Sequence, residues 1–275
     1  MFIAHNPSGG ALSGTKTLSA DSGIATFSDL SIDSAGAGHT LSASGTGMIT
    51  ATSNAFDVLK QNTTTTLTAD DPDPSVVGQA VEARYSVAGN LPGGGTPTGN
   101  VTVTASGGPE SCTGTVGAGS CSIILTEAGN RALTANYAGD ANFYGSTSAD
   151  AGHTVNRAGT TTTITEDNPD PSVVGQAVTV RFNVIANSPG SGTPTGSVTV
   201  TVSGGSESCT GTVAAGSCSM TLTVTGHRTL TASYPGNANF YASTSSSVAH
   251  TVNEAPAITS INTSTLPWGL LVSSP

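Results

Sequence analysis

Apolar and polar residues alternate with a period of two along much of this chain. Val178, Val180, Phe182 and Val184 interleave with Thr179, Arg181 and Asn183, which predicts a strand with one buried face. Val81, Ala83, Tyr85 and Val87 interleave in the same way with Glu82, Arg84 and Ser86. Further strands are predicted at 198–202, 219–224 and 229–234. Turn clusters punctuate them: Asp73-Pro74, Gly78-Gln79, the glycines at 93–95, Ser106-Gly107-Gly108 and Gly139-Asp140. No stretch holds a 3.6-residue apolar period behind a helix cap. The pattern predicts an all-β chain of sandwiches, each with about seven strands in two packed sheets.

The pattern also repeats. Residues 60–156 and 157–253 align without a gap at a constant offset of 97, which carries Cys112 to Cys209, Cys121 to Cys218 and Pro72 to Pro169. About two thirds of the aligned positions are identical. A period near one small domain reads as a tandem array, and tandem copies supply length or valency more readily than an active site. The joins at 58–62, 155–158 and 252–255 are short, which predicts restricted inter-domain angles and an extended rod.

The two flanks are less regular. Residues 1–59 carry predicted strands at 23–27, 39–43 and 55–58 and are expected to form a partial domain lacking its opening strands. Residues 254–275 hold one strand-like stretch at 257–261, then Pro267, Trp268 and an apolar run at 270–272, and read as a tail or the start of a further domain.

Composition narrows the function class. Charged residues make up only 9% and the net charge is −10, with seven Lys and Arg scattered along the chain. No electrostatic footprint for nucleic acid is present, so no nucleic-acid partner is expected. No apolar run approaches the length needed to span a bilayer, and residues 1–7 carry no legible export signal. The four cysteines fall as two identical Cys-x8-Cys pairs without a neighbouring ligand set. Such pairs favour disulfides, Cys112 with Cys121 and Cys209 with Cys218, in an oxidising compartment. Each pair brackets a turn and reads as a hairpin cross-link of roughly 2–3 kcal/mol, with a redox switch as the alternative.

Several ordered signatures together resemble the bacterial Ig-like repeat family. They are Thr63 to Thr66, Asp71-Pro-Asp-Pro-Ser-Val-Val-Gly-Gln79, Gly95-Thr-Pro-Thr-Gly99 and Tyr137-Ala-Gly-Asp-Ala-Asn-Phe143, each with its counterpart in the second copy. Residues 1–59 resemble the rear half of another bacterial Ig-like type through residues 23–33 and 52–56. The resemblance implies stalks or adhesive arrays in large secreted or surface proteins, without catalytic residues. The Cys…Trp…Cys core of antibody domains is missing from these modules.

Candidate chemistry is sparse. Asp70, Asp71 and Asp73, with Asp167 and Asp170, are the residues that could hold calcium, the one cofactor considered. Asp71 becomes Asn168 and Asp140 becomes Asn237 in the second copy, which favours turn chemistry, and no cofactor is expected. Phe143 and Tyr144, with Phe240 and Tyr241, could form a repeated aromatic contact for a glycan or protein, against the plainer expectation that they pack on a neighbouring strand. The five histidines are not expected to assemble a Ser/His/Asp site. The expected function is a non-enzymatic spacer of an extracellular or cell-surface protein, partnered by neighbouring Ig-like domains. The alternatives are an adhesin with repeated binding loops, and a filament of copies joined head to tail by strand complementation.

Overall fold

The computed structural model describes residues 1–91 and 93–257. The features expected at 258–275, Trp268 and most of the 257–261 strand among them, lie outside the described residues. The chain divides into two compact units, Met1–Ala158 with Ser188–Gly192, and a second beginning at Gly159–Asn187 and resuming at Thr193. All regular structure among the described residues is β.

The first six strands are β1 (Phe2–His5), β2 (Leu12–Ser13), β3 (Ser31–Ile32), β4 (Gly36–Ala43), β5 (Ala51–Thr52) and β6 (Phe56–Val58). β4 is the centre, pairing antiparallel with β1, β5 and β6, while β2 pairs with β3. The strand expected at 23–27 does not form. Asp21 and Ile24 exchange backbone hydrogen bonds of 2.8 and 2.9 Å around Ser22 and Gly23, both at positive φ, which closes a tight turn. A ladder that begins inside that turn has no partner strand to extend along.

The first repeated module comprises β7 (Thr63–Asp71), β8 (Ser75–Val76), β9 (Ala80–Gly89), β10 (Asn100–Ala105), β11 (Ser111–Thr115), β12 (Ser120–Ile124), β13 (Gly129–Tyr137), β14 (Ser146–Thr147) and β15 (Ala151–Asn156). One sheet runs β12-β9-β7; the other runs β11-β10-β13-β15-β8, with β14 added beside β13. Seven of these strands are five residues or longer, and the two-residue strands β8 and β14 lie along the larger sheet. The alternation seen in the sequence is the inside-outside pattern: Val81, Ala83 and Tyr85 from β9 face Val101, Val103, Leu133, Ala135 and Tyr137, all buried. Thr102 and Thr104 turn away from that core.

The second module repeats this topology with β16 (Thr160–Asn168), β17 (Ser172–Val173), β18 (Ala177–Ala186), β19 (Ser197–Val202), β20 (Ser208–Thr212), β21 (Ser217–Thr221), β22 (Gly226–Tyr234), β23 (Ser243–Thr244) and β24 (Val248–Asn253). Its buried face carries Val178, Val180, Phe182 and Val184. The residues predicted as strands at 198–202 and 229–234 lie inside β19 and β22; the strand read at 219–224 begins two residues earlier and ends at Thr221.

Five times in each module the chain crosses from one sheet to the other, and two of these crossings place the polar cluster and the disulfide. In the first module it leaves the smaller sheet at the end of β7 and joins the larger one as β8, parallel to β15. Pro72 and Pro74 lie between them, and proline has no N–H with which to continue a ladder. A later crossing joins β11, in the larger sheet, to β12, in the smaller one.

Candidate functional site

The first crossing gathers the polar residues of each module. Asp70 lies near the end of β7, Ser75 opens β8, and His153 sits on the last strand, β15. His153 bonds Asp70 Oδ2 through Nδ1 at 2.6 Å and Ser75 Oγ through Nε2 at 2.8 Å. Asp73, in the intervening bend, accepts the Thr154 backbone N–H on Oδ1 at 2.9 Å. The second module repeats the set: His250 to Asp167 at 2.8 Å, His250 to Ser172 at 2.9 Å, and Thr251 N–H to Asp170 at 2.9 Å.

This is a Ser-His-Asp hydrogen-bonded chain, which the five histidines did not lead us to expect. A within-chain signal was present: Asp70, Asp73, Ser75 and His153 all recur unchanged at the 97-residue offset while Asp71, Asn130 and Asp140 do not. Its geometry resembles a hydrolytic triad, but its access does not. Ser75 and Ser172 have 0% of their surface exposed, and His153 and His250 have 2% and 1%. A nucleophile must reach a substrate carbonyl, and a hydroxyl sealed between sheets cannot.

The donor set also fits a latch better than a cation. Asp70, Asp73 and His153 converge within 4.8 Å, as do Asp167, Asp170 and His250. However, Asp70 and His153 are already in direct hydrogen-bond contact, Asp73 is engaged by a backbone amide, and a hard cation wants about six to eight oxygens. Asp71 does not join the cluster: it is exposed and stands opposite Glu82 in the β7–β9 ladder. What the cluster does chemically is satisfy the polar groups where the first strand changes sheet, tying β7, β8 and β15 together.

A second buried polar set lies beside the latch, where Arg131 of β13 stands opposite His153 of β15. Arg131 donates to Glu110 Oε2 at 2.8 Å and, through Nε, to Ser106 O, with 5% and 9% of the Arg131 and Glu110 side chains exposed. Burial alone would raise the Glu110 carboxyl, but hydrogen bonds from Thr126, from the Glu110 and Thr126 amides and from Arg131 outweigh it and hold it at about 2. Glu207 is likewise held at about 2, chiefly by the Thr223 hydroxyl and amide and then by its own amide; burial opposes this, and the charge of Arg228, 3.6 Å away, adds to it.

The turn that carries Asp140 explains the change to Asn237. Asp140 Oδ1 accepts the amides of Asn142 and Phe143 at 2.8 and 2.9 Å, and Asn237 Oδ1 accepts those of Asn239 and Phe240 at the same distances. An amide oxygen serves the turn as well as a carboxylate does. The adjoining aromatic pairs divide: Phe143 and Phe240 are buried at 4% and 5%, whereas Tyr144 and Tyr241 are about half exposed. Of these four, only the tyrosines are placed to touch a partner.

Cys112 is bonded to Cys121 and Cys209 to Cys218, with Cα–Cα separations of 5.8 and 5.7 Å. The hairpin expected around each pair is corrected. Cys112 lies on β11, opposite Val103 of β10, and Cys121 lies on β12, opposite Ala83 of β9. Each bond therefore links the two sheets where the chain crosses between them, at β11–β12 in the first module, rather than two rungs of one ladder.

The chain matches the model of the bacterial Ig-like domain (group 3) at residues 67–156 and again at 164–253. No curated protein matches it. Among solved structures, it is similar to the fibronectin(III)-like modules of Clostridium thermocellum CbhA, with 16% identity, 70% of this chain and 95% of that one covered, and a TM-score of 0.29. The Escherichia coli adhesin FdeC aligns at 19% identity over 68% of this chain and 62% of that one, with a TM-score of 0.22. A C-terminal fragment of intimin, solved with the intimin-binding domain of its translocated receptor, aligns at 17% identity over 68% and 64%, with a TM-score of 0.23. Likenesses this distant add nothing to the assignment. The family match spans well over half the chain and coincides with the two repeated sandwiches, so the protein belongs to the bacterial Ig-like domain (group 3) family.

Proposed function

We propose that this chain is a non-enzymatic spacer segment of a bacterial extracellular or cell-surface protein. The observation that carries the reading is the fate of its chemistry-bearing residues. In both modules the Ser and His that could do chemistry are buried and bonded, with a partly exposed Asp, in the same inter-strand latch, and the Arg–Glu pair is buried within the fold as well. What recurs at the 97-residue offset is scaffold. Inter-sheet disulfides suit an oxidising compartment outside the cytoplasm. Among the described residues, no helix is long and apolar enough to cross a membrane.

The test is a binding screen of the full chain on glycan arrays and on host-surface protein panels. A spacer binds nothing reproducibly, and saturable binding overturns the reading. One observation favours a second reading, an adhesin: Tyr144 and Tyr241 are half exposed at equivalent positions and offer two identical contacts. Under that reading, binding is lost in the Tyr144→Ala/Tyr241→Ala variant. The strand-complementation reading depends on residues 258–275, outside the described residues, and deletion of 254–275 tests it by the loss of assembly.

A further inference from the structure

The latch residues sit on the two strands through which the chain enters and leaves each module. Thr63, at the start of β7, bonds Tyr144 O at 2.8 Å and Ser146 Oγ at 2.7 Å, and Ser146 pairs with Tyr137 at the end of β13. Val155, near the end of β15, pairs with Gly129 at the start of β13. The points of chain entrance and exit therefore lie at opposite ends of the nine-residue strand β13, roughly 27 Å apart at about 3.4 Å per residue. Tension between the two points acts along the strands.

The termini cannot separate along that line unless residues 70–77 slide past residues 153–156. Those two segments are joined by a side-by-side set of bonds. β8 and β15 run parallel, with Ser75 opposite Val155 and Val76 opposite Asn156. Val77 N–H donates to Asn156 O at 2.9 Å and Thr154 N–H to Asp73 Oδ1 at 2.9 Å. His153 adds its bonds to Asp70 and Ser75. Bonds crosswise to the direction of sliding are loaded together, whereas a hairpin pulled from its open end loses them one at a time. The second module has the same arrangement. Thr160 bonds Tyr241 O and Ser243 Oγ, β17 runs parallel to β24, and Val252 pairs with Gly226. The disulfides close loops with a sequence separation of 9, on strands that take no part in this patch, so they do not bypass it.

From this juxtaposition we infer that the meeting of residues 70–77 with the last strand is a mechanical clamp. His153 and His250 are the cross-pins of the two modules, and each module is built to resist pulling from its ends. The inference deepens the spacer reading and rests on it only for the direction in which load arrives.

The test is constant-force unfolding of the full chain held by its two ends, in the disulfide-bonded state. The wild type gives two unfolding events with similar lifetimes. His153→Gln shortens the lifetime of one event at least about tenfold, and His153→Gln with His250→Gln shortens both. The control is Val103→Ala, a core change away from the patch, compared at equal loss of melting temperature. A clamp makes the His153→Gln lifetime under load fall much further than that of Val103→Ala. Equal lifetimes for the two variants overturn the inference. Where His153→Gln does not fold, Ser75→Ala and Asp73→Ala, which each remove one bond of the set, carry the same comparison. A ligand found in the binding screen would sink the spacer reading and leave this result standing, and equal lifetimes would do the reverse.

Discussion

Replacing Arg131 by Met should destabilise the first module by about 3–5 kcal/mol, the cost of leaving a buried charge without its partner. Met keeps most of the aliphatic volume, so the change isolates the charge. The magnitude reflects the surroundings: Glu110 is 9% exposed, and its Oε2 loses the Arg131 donor at 2.8 Å, while Ser106 O loses Nε. Thr126 continues to serve Oε1 through its hydroxyl at 2.8 Å, which places the loss toward the lower end of that range. About 3 kcal/mol is roughly two powers of ten in the folding equilibrium. The assay is urea titration of the full chain by circular dichroism, fitted for two modules, at pH 7 and at stepwise lower pH. The carboxyl of Glu110 is held at about 2, below its ordinary 4.5, so its contribution is fully present above 4.5 and disappears as pH falls through about 2. The gap between wild type and Arg131→Met therefore narrows over that window, because a protonated Glu110 needs no cation. The double variant Arg131→Met/Glu110→Gln should regain most of the loss at pH 7. A loss below about 1 kcal/mol at pH 7, or a gap that does not change with pH, would refute the reasoning, since that is how an exposed pair behaves.

Four further outcomes depend on single positions or bonds. Gly139→Ala should cost about 1–3 kcal/mol, because φ is +86° and the added Cβ would lie 2.8 Å from Phe143 O, whereas Gly117→Ala, with nothing within 4 Å, should be near neutral by thermal melting. Reducing Cys112–Cys121 should lower stability by about 2–3 kcal/mol in the chain-entropy model, and intact mass without reductant should be two hydrogens lighter per pair; free thiols in freshly isolated protein contradict it. Tyr85→Phe removes hydroxyl bonds to Thr115 O and Ser120 O at 3.1 and 3.2 Å and should cost about 1 kcal/mol; the second module already has Phe182 at this position, and a loss of about 3 kcal/mol or more would mean that packing changes as well. Adding EDTA should leave the melting temperature unchanged, and a fall would place a cation among Asp70, Asp73 and His153.

The strands of the repeated modules were legible because their chemistry is local. A sandwich strand shows one face to the core and one to water, so β18 announces itself through Val178, Val180, Phe182 and Val184. The tight turn at 21–24 was less legible. Residues 23–27 hold the β-branched and aromatic residues that suit a strand, but the turn leaves that stretch without a partner, and partners are assigned by the rest of the chain. The cysteine pairs show the same limit. Nine residues around a turn suit a hairpin, yet the chain changes sheet there, and the bond ends up linking the two layers.

The polar latch was the least legible part. Asp70 and His153 are 83 residues apart, and Ser75 and His153 are 78 apart. Nothing local distinguishes that histidine from exposed His227, which bonds a neighbouring threonine. By itself, the sequence determined the period-two strands, the 97-residue module and the pairing partners of its cysteines, because these depend on spacing along one segment. The tertiary structure alone decided that the first strand divides between two sheets, and that a Ser, a His and an Asp meet where it does. Burial leaves the Ser and the His no solvent to bond to, so their polar atoms had to find partners within the fold.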